Sequence, residues 1–291
     1  MKPSAFDYHR AENLQHACEL LSASGDDAKI LAGGQTLIAM MNFRLARPKV
    51  LIDISNIVDR NQIDDEGGAI RVRATSVQRF VERSASVQLR FPLLCCAIEH
   101  IAHFQIRNKG TIGGNLVNAD PASELPAMAL VHDAEFEIMS QTGTRTVPAD
   151  KFFITYYTTV VAPNEVLSSI RFVEPPKNSG WGFHEVARRS GDYALVGSSA
   201  VVTLDSAGKC TRARIGLFGV ASTPVRAQAA EDVLIGQTYS ADLLMASAHN
   251  IQSVLDPEGD VHVTADYRRS VAETLTVRAL NDAFRRAKAV A

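Results

Sequence analysis

The 291-residue sequence contains neither G-x-G-x-x-G nor G-x-x-x-x-G-K-[ST], so a Rossmann or P-loop reading lacks its main support. Cysteine is scarce. Cys18, Cys95, Cys96 and Cys210 are scattered without C-x-x-C spacing, which argues against a disulfide scaffold and against a zinc or iron–sulfur site built by this chain alone. Charge of one sign is missing too. A formal net charge of -2 argues against a dedicated nucleic-acid binder, which needs a basic face to release counterions from phosphate. No apolar run is long enough to span a membrane, and the densest, over 91–98, is stopped by Glu99 and His100. The opening MKPSAFDYHR has no apolar stretch of the secretory type. The expectation from these absences is a soluble, cytoplasmic, reduced protein.

What is present is ordinary globular material: 46% apolar and 21% charged residues. Leu14, Ala17, Cys18 and Leu21 recur at helical spacing and predict a helix over 11–22. A short strand over 29–32 runs into Gly33-Gly34, a helix over 36–43 follows, and Arg47-Pro48 ends it before a strand over 50–54. Ser76 is positioned to cap a helix through Arg83, and 92–104 reads as one helix. Residues 134–139 and 144–147 predict a hairpin, and 166–173 another strand. Asp64-Asp65-Glu66 reads as a solvated turn, and Tyr156-Tyr157 as core. Two prolines and a glycine make 175–180 the best linker. Beyond it, 198–204 and 211–220 form a second hairpin, and helices near 226–234, 240–254 and 267–288 close the chain. Strands and helices mix without regular βαβ alternation, which points to the α+β class.

Two segments carry chemistry: Leu31-Ala32-Gly33-Gly34-Gln35-Thr36-Leu37 and Gly110-Thr111-Ile112-Gly113-Gly114-Asn115. Glycine admits positive φ and close backbone approach, and successive N–H groups can form a nest for anionic oxygens. Thr36, Thr111 and Asn115 add side-chain donors. The plain alternative is that both segments are tight turns. His100 and His103 have a spacing that could serve a metal but lack a partner in any recognised pattern. Cys95 and Cys96 read as core. Arg188-Arg189 fit either a phosphate contact or a domain seam.

These two segments, with Arg44-Leu45-Ala46-Arg47-Pro48, Leu51-Ile52-Asp53-Ile54, Ala119-Asp120-Pro121-Ala122-Ser123-Glu124-Leu125-Pro126 and Gly191-Asp192-Tyr193-Ala194-Leu195-Val196, resemble the signatures of a known family. It is the FAD-binding medium subunit of molybdenum hydroxylases, of the xanthine, carbon monoxide, and quinoline or nicotine dehydrogenase types. The resemblance covers essentially the whole chain. It implies an FAD-binding fold of the vanillyl-alcohol oxidase type over 1–176, in two α+β subdomains of about 1–56 and 57–176. A C-terminal flavoprotein domain over 177–291, a small antiparallel sheet plus helices, would follow.

The resemblance also implies the site. Leu31, Ala32, Gly33, Gly34, Gln35, Thr36, Leu37 and Ile38 would wrap the diphosphate and part of the flavin. Ile101, Thr111, Gly114 and Asn115 would close the second side. Glu124 would accept from the adenosine ribose, with Asp120 as the competing carboxylate. Leu167 and His184 would lie near the adenine, and Tyr193 beside the flavin ring. Thr36 and Asn118 stand where serine and histidine are common. No catalytic residue and no metal site is implied for this chain. The implied function is electron transfer within an oxidoreductase complex. A small partner subunit with [2Fe-2S] clusters and a large molybdopterin subunit would feed the FAD, in a dimer of heterotrimers, and an external acceptor would take the electrons. The alternatives are a free-standing FAD-dependent oxidase or reductase, and a non-catalytic nucleotide-binding module serving assembly.

Overall fold

A computed structural model describes residues 2–58 and 60–290; the expected outer limits at Met1 and Ala291 lie outside them. The chain opens with β1 (Asp7–Arg10), α1 (Leu14–Ser24), β2 (Ala28–Leu31), α2 (Leu37–Asn42) and β3 (Val50–Asp53). The three strands form a parallel sheet in the order β1-β3-β2. Ala17, Cys18 and Leu21 are the buried stripe of α1, and Asn13 caps it by accepting from the His16 N–H at 2.9 Å.

Then come β4 (Ile63–Asp65), β5 (Ala69–Arg73), α3 (Gln78–Glu82), α4 (Ala85–Arg90), α5 (Pro92–His100), α6 (Phe104–Arg107), α7 (Ile112–Asn118) and α8 (Glu124–Val131). They are followed by β6 (Glu135–Ser140), β7 (Gly143–Pro148), β8 (Phe153–Thr155), β9 (Thr158–Thr159) and β10 (Val166–Val173). A five-stranded sheet has the order β4-β5-β10-β6-β7, antiparallel at each pairing. Helix α8 is apolar all round apart from Glu124, and every one of its residues is buried. Such a helix belongs inside a core, and α8 lies between α5 and the C-terminal strands.

The remainder is β11 (Ser179–Ala187), β12 (Ala194–Leu204), β13 (Cys210–Phe218), β14 (Val225–Arg226), α9 (Gln228–Leu234), α10 (Ala241–His249) and α11 (Ala265–Val290). The strands form an antiparallel sheet in chain order. Strand β11 lies flush on α11. A Cβ on Gly182 would sit 2.0 Å from the Ala279 carbonyl oxygen, and one on Gly180 2.0 Å from that of Ala283. Leu280 and Phe284 are fully buried under this contact, while Val277 packs at its margin.

The α+β class is as the sequence predicts, and several local readings are corrected. Ser76 does not cap a helix. Its hydroxyl bonds the Arg60 and Gln62 carbonyls, and α3 starts two residues later. The helix over 92–104 is broken after His100, because Ala102 takes φ 45° and α6 begins afresh at Phe104. Asp64 and Asp65 belong to β4, and Glu66 pairs with both Arg71 and Arg171. Strand β11 begins inside the stretch read as linker. One apolar cluster runs from α5 and α8 through Phe183, Ala194, Val201 and Phe218, so the core continues across that stretch.

A second tie across it is ionic. Asp133 accepts from Arg212 at 2.7 Å, Arg214 at 3.1 Å and Arg226 at 3.1 Å. Glu231, almost fully buried, accepts from Arg226 at 2.8 Å and from the Ile215 N–H at 2.9 Å. Cations and carboxylates alternate here, so each buried charge has a partner. Behind them His132 is enclosed by Phe91 and Phe172, and burial pushes its imidazole down to about 4.

Candidate functional site: a split anion cradle

The first glycine segment joins β2 to α2. Gly34 has φ 72°, a conformation glycine takes without strain. The N–H groups from Gly33 to Leu37 find no acceptor among the described residues; the next, Ile38, bonds the Gly34 carbonyl at 3.2 Å. Five consecutive free donors on a bent backbone form a nest for an anion. Gln35 folds its amide back onto the Gly33 carbonyl at 3.0 Å, which steadies the bend.

The second segment is built differently. Thr111 is the N-cap of α7, and its hydroxyl oxygen accepts from the Gly114 N–H at 3.0 Å. The Ile112 and Gly113 N–H groups are bonded to the Ser76 and Ala74 carbonyls at 2.9 and 2.8 Å. All of its backbone donors but the Thr111 N–H are therefore already used, so a run of free N–H groups occurs in the first loop only. Positive φ, too, occurs at Gly34 and not at Gly33 or Gly114. What the second segment supplies is a close wall. A Cβ on Gly33 would lie 2.4 Å from the Lys109 carbonyl oxygen, and one on Gly114 3.7 Å from Ala32 Cβ.

A cavity of about 330 Å³ opens between the two, lined by Leu31 to Gln35, Ile38, Lys109 and Thr111, with Ser55, Asn56 and Arg60 on its far side. Arg60 donates to the Ser55 carbonyl at 2.6 Å, but its buried Nε has no partner among the described residues. Motif reading missed Arg60 and Lys109, since neither belongs to a glycine signature. Only the fold brings them to the nest. A cradle of free N–H groups over a cavity that Arg60 and Lys109 help to line fits a diphosphate.

The other expected residues fall into groups. Thr36, Asp120, Glu124 and Tyr193 come together. The Tyr193 ring is 63% exposed while its hydroxyl end is desolvated, which raises its pKa; Asp120 and Glu124 add to the rise and the Thr36 hydroxyl opposes it. Asn115 accepts from the Ser123 hydroxyl at 2.8 Å. Asp120 accepts from the Ala122 N–H at 3.0 Å and faces the Tyr157 hydroxyl at 3.5 Å, and burial raises its pKa. Tyr157 is thus not core. It is 62% exposed, with φ 52°, and its N–H bonds the Ala119 carbonyl. Glu124 is buried, and loss of hydration pushes its carboxyl up to about 8, with Glu185 and Asp120 contributing.

Ile101 and Leu167 are buried in the central core cluster. His184 is turned away from this group: its Nε2 meets Asp282 of α11 at 3.1 Å. Alternation along β11 puts Glu185, not His184, on the face toward α5. His100 bonds the Cys96 carbonyl through Nδ1 and packs tilted against the Phe183 ring, with centroids 4.7 Å apart. Burial raises the Cys95 and Cys96 thiols to about 12 and about 11, the behaviour of inert core cysteines. Among the described residues no group of three or more His, Cys, Asp or Glu could hold a metal ion. No helix there is long and apolar enough to cross a membrane.

The comparisons with known proteins agree with a flavin dinucleotide site. Residues 4–174 match the FAD binding domain in molybdopterin dehydrogenase, and 181–283 the CO dehydrogenase flavoprotein C-terminal domain. The class is therefore the FAD-binding flavoprotein subunits of oxidoreductases. More particularly, the chain belongs to the family of FAD-binding medium subunits of molybdenum hydroxylases.

It is 41% identical to the 6-hydroxypseudooxynicotine dehydrogenase complex subunit alpha of Paenarthrobacter nicotinovorans, over 99% of this chain and 97% of that one. It is 37% identical to the carbon monoxide dehydrogenase medium chain of Hydrogenophaga pseudoflava, over 98% and 99%. The solved carbon monoxide dehydrogenase of Hydrogenophaga pseudoflava superposes with a TM-score of 0.95 at 38% identity, covering 98% of this chain and 99% of that one. Quinoline 2-oxidoreductase from Pseudomonas putida 86 superposes at 0.93 with 33% identity, covering 99% of each chain.

Proposed function

We propose that this chain, within a cytoplasmic dimer of heterotrimers, carries electrons from [2Fe-2S] clusters of a small partner subunit to an external acceptor. A large molybdopterin subunit would hold the substrate. Support comes from relatives that are subunits of such dehydrogenases and from four cysteines that form no disulfide. FAD, when bound, supplies both one- and two-electron chemistry.

The chain's own residues bind and orient. The observation that carries the reading is the run of free N–H groups from Gly33 to Leu37 over a cavity that Arg60 and Lys109 also line. These donors hold the diphosphate, and Thr111, Gly114 and Asn115 form the opposite wall. Glu124 accepts from the ribose hydroxyls, with Asp120 as the competing carboxylate. Tyr193 borders the flavin ring, where it limits solvent. The domains divide at 176/177, with the subdomain boundary near 56.

The test is purification of the complex followed by denaturation. One FAD per copy of this chain should be released free of the polypeptide, alongside a two-cluster iron–sulfur chain and a molybdopterin chain. Flavin retained on the denatured polypeptide contradicts the binding mode. A fully active isolated monomer contradicts the electron-transfer role.

A further inference from the structure

His103 has no part in the cradle, yet its backbone is held firmly in place. The chain reaches it through a fixed bend. Ala102 takes φ 45°, a left-handed conformation that a residue with a Cβ keeps only where its surroundings compel it. The compelling group is Arg107. Its Nη1 donates to the Ile101 carbonyl at 2.9 Å and to that of Ala102 at 3.2 Å. Its Nε donates to Glu82 at 3.0 Å, and both members of this ion pair are buried. Such a pair resists displacement, because removing either charge strands the other. The His103 carbonyl in turn accepts from the Ile106 and Arg107 N–H groups at 2.9 and 3.2 Å, which fixes the residue at the start of α6.

What the imidazole meets belongs to the C-terminal sheet. The turn over 188–193 joins β11 to β12 and carries Tyr193 at its end. Within it Gly191 takes φ 87°, and a Cβ there would lie 2.4 Å from His103 Cε1, 2.7 Å from Nδ1 and 3.0 Å from Nε2. The Nδ1–Cε1–Nε2 edge of the ring therefore fills the space that a side chain at 191 would take. The turn is exposed at Arg188, Arg189, Ser190, Asp192 and Tyr193. Its Asp192 N–H bonds the Arg189 carbonyl at 3.1 Å, and Arg188 meets His262 at 3.1 Å, so neither tie reaches toward the cavity. The contact of Gly191 with His103 does, because it joins the turn to the segment that runs on through α6 to Lys109 and Thr111 at the cavity wall.

We infer that His103 is a positioning residue: the 188–193 turn rests against its ring, and through Gly191 it sets where Tyr193 stands over the flavin. The inference rests on the proposed place of Tyr193 and goes beyond it, because it gives that placement a cause outside the C-terminal sheet. It also gives Gly191 a reason to lack a side chain besides its φ. The role is one of contact. His103 touches no reacting atom and acts only through the turn.

The experiment uses the purified complex carrying variants of this chain, reduced with dithionite and mixed with molecular oxygen in a stopped flow, with rates taken per bound flavin. Tyr193→Ala should speed flavin reoxidation roughly tenfold by opening the ring to solvent, and should shift the flavin midpoint potential. His103→Ala should speed it about fivefold and shift the potential in the same direction, with a melting temperature close to wild type. His103→Gln, which keeps the reach to Gly191, should fall nearer wild type than the alanine variant. Added to Tyr193→Ala, His103→Ala should change nothing further, since the turn then has no ring to place. Equal effects of His103→Ala in both backgrounds overturn the inference, as does no effect in the wild-type background or a glutamine variant no better than alanine. If Tyr193→Ala itself leaves reoxidation and potential unchanged, the place of Tyr193 at the flavin fails, and this inference with it.

Discussion

The two glycine segments look alike as letters and are used in opposite ways. In the first, glycine frees the backbone: Gly34 takes φ 72°, and five N–H groups are left for a ligand. In the second, glycine removes bulk: Gly113 has no Cβ because one would lie 2.5 Å from Ala74 Cβ and 2.7 Å from the Ala74 carbonyl oxygen. One loop donates and the other packs. The lesson is that a glycine pair marks a position where a side chain is excluded, while the reason for the exclusion depends on what the fold puts beside it.

The largest effects should separate the two uses. Gly113→Val forces a branched side chain into the backbone around Ala74. It should destabilise the chain by about 3 kcal/mol, visible as a large drop in urea midpoint with or without FAD. Gly33→Val drives a side chain into the Lys109–Gly110 backbone at the cavity rim, 2.4 Å from the Lys109 carbonyl oxygen. It should abolish FAD retention and also lower the flavin-free melting temperature. If Gly113→Val loses flavin with an unchanged urea midpoint, the second segment serves the ligand and not the packing.

Next comes a change of pH that touches neither loop directly. The folded His132 titrates near 4, below its ordinary value, so above pH 6.5 both folded and unfolded forms are neutral and nothing is lost. As pH falls from 6.5 toward 4 the unfolded chain gains a proton that the folded one refuses. From this group alone stability should drop by roughly 3 kcal/mol across that window. Glu124 works in the other direction: held up at about 8, it costs the flavin-free chain stability as pH rises from 4.5 to 8. Between pH 4.5 and 6.5 the two slopes oppose each other, so in denaturant titrations wild type should be nearly flat there and fall from 6.5 to 8. Glu124→Gln removes the second slope, and a flat acid limb in that variant would mean that His132 is not enclosed as described.

Gly34→Ala should cost about 1–2 kcal/mol, from the left-handed backbone and the contacts with Leu31 and Ile38 at 3.1 and 3.2 Å. It should weaken FAD more than it weakens the fold, because the nest depends on that φ. The smallest effect belongs to Thr111→Ala. Losing the cap of α7 should cost about 1 kcal/mol, with Thr111→Ser restoring it. A loss confined to FAD affinity, with unchanged stability, would show that Thr111 serves the ligand rather than the helix.

How much of this was legible in the sequence varies from residue to residue. Helix α1 and strand β10 could be read off because each carries a periodic apolar pattern that buries one face or a whole strand. Strand β11 could not. It opens next to two prolines and carries glycines at 180 and 182, and those glycines are strand residues only because α11 presses on them. Tyr157 reads as core by composition, yet the left-handed turn beside Ala119 puts it at the site's mouth.

By itself the sequence determined the α+β class and the family, because these depend on local order and on motifs of a few residues. Tertiary structure alone decided which glycine loop keeps its donors, since that depends on whether the Ser76 and Ala74 carbonyls arrive from another segment. It also decided that Glu185 and not His184 lies on the α5 side of β11. Strand alternation fixes that the two neighbours point opposite ways, but only the packing of α11 on one face of β11 says which way is which.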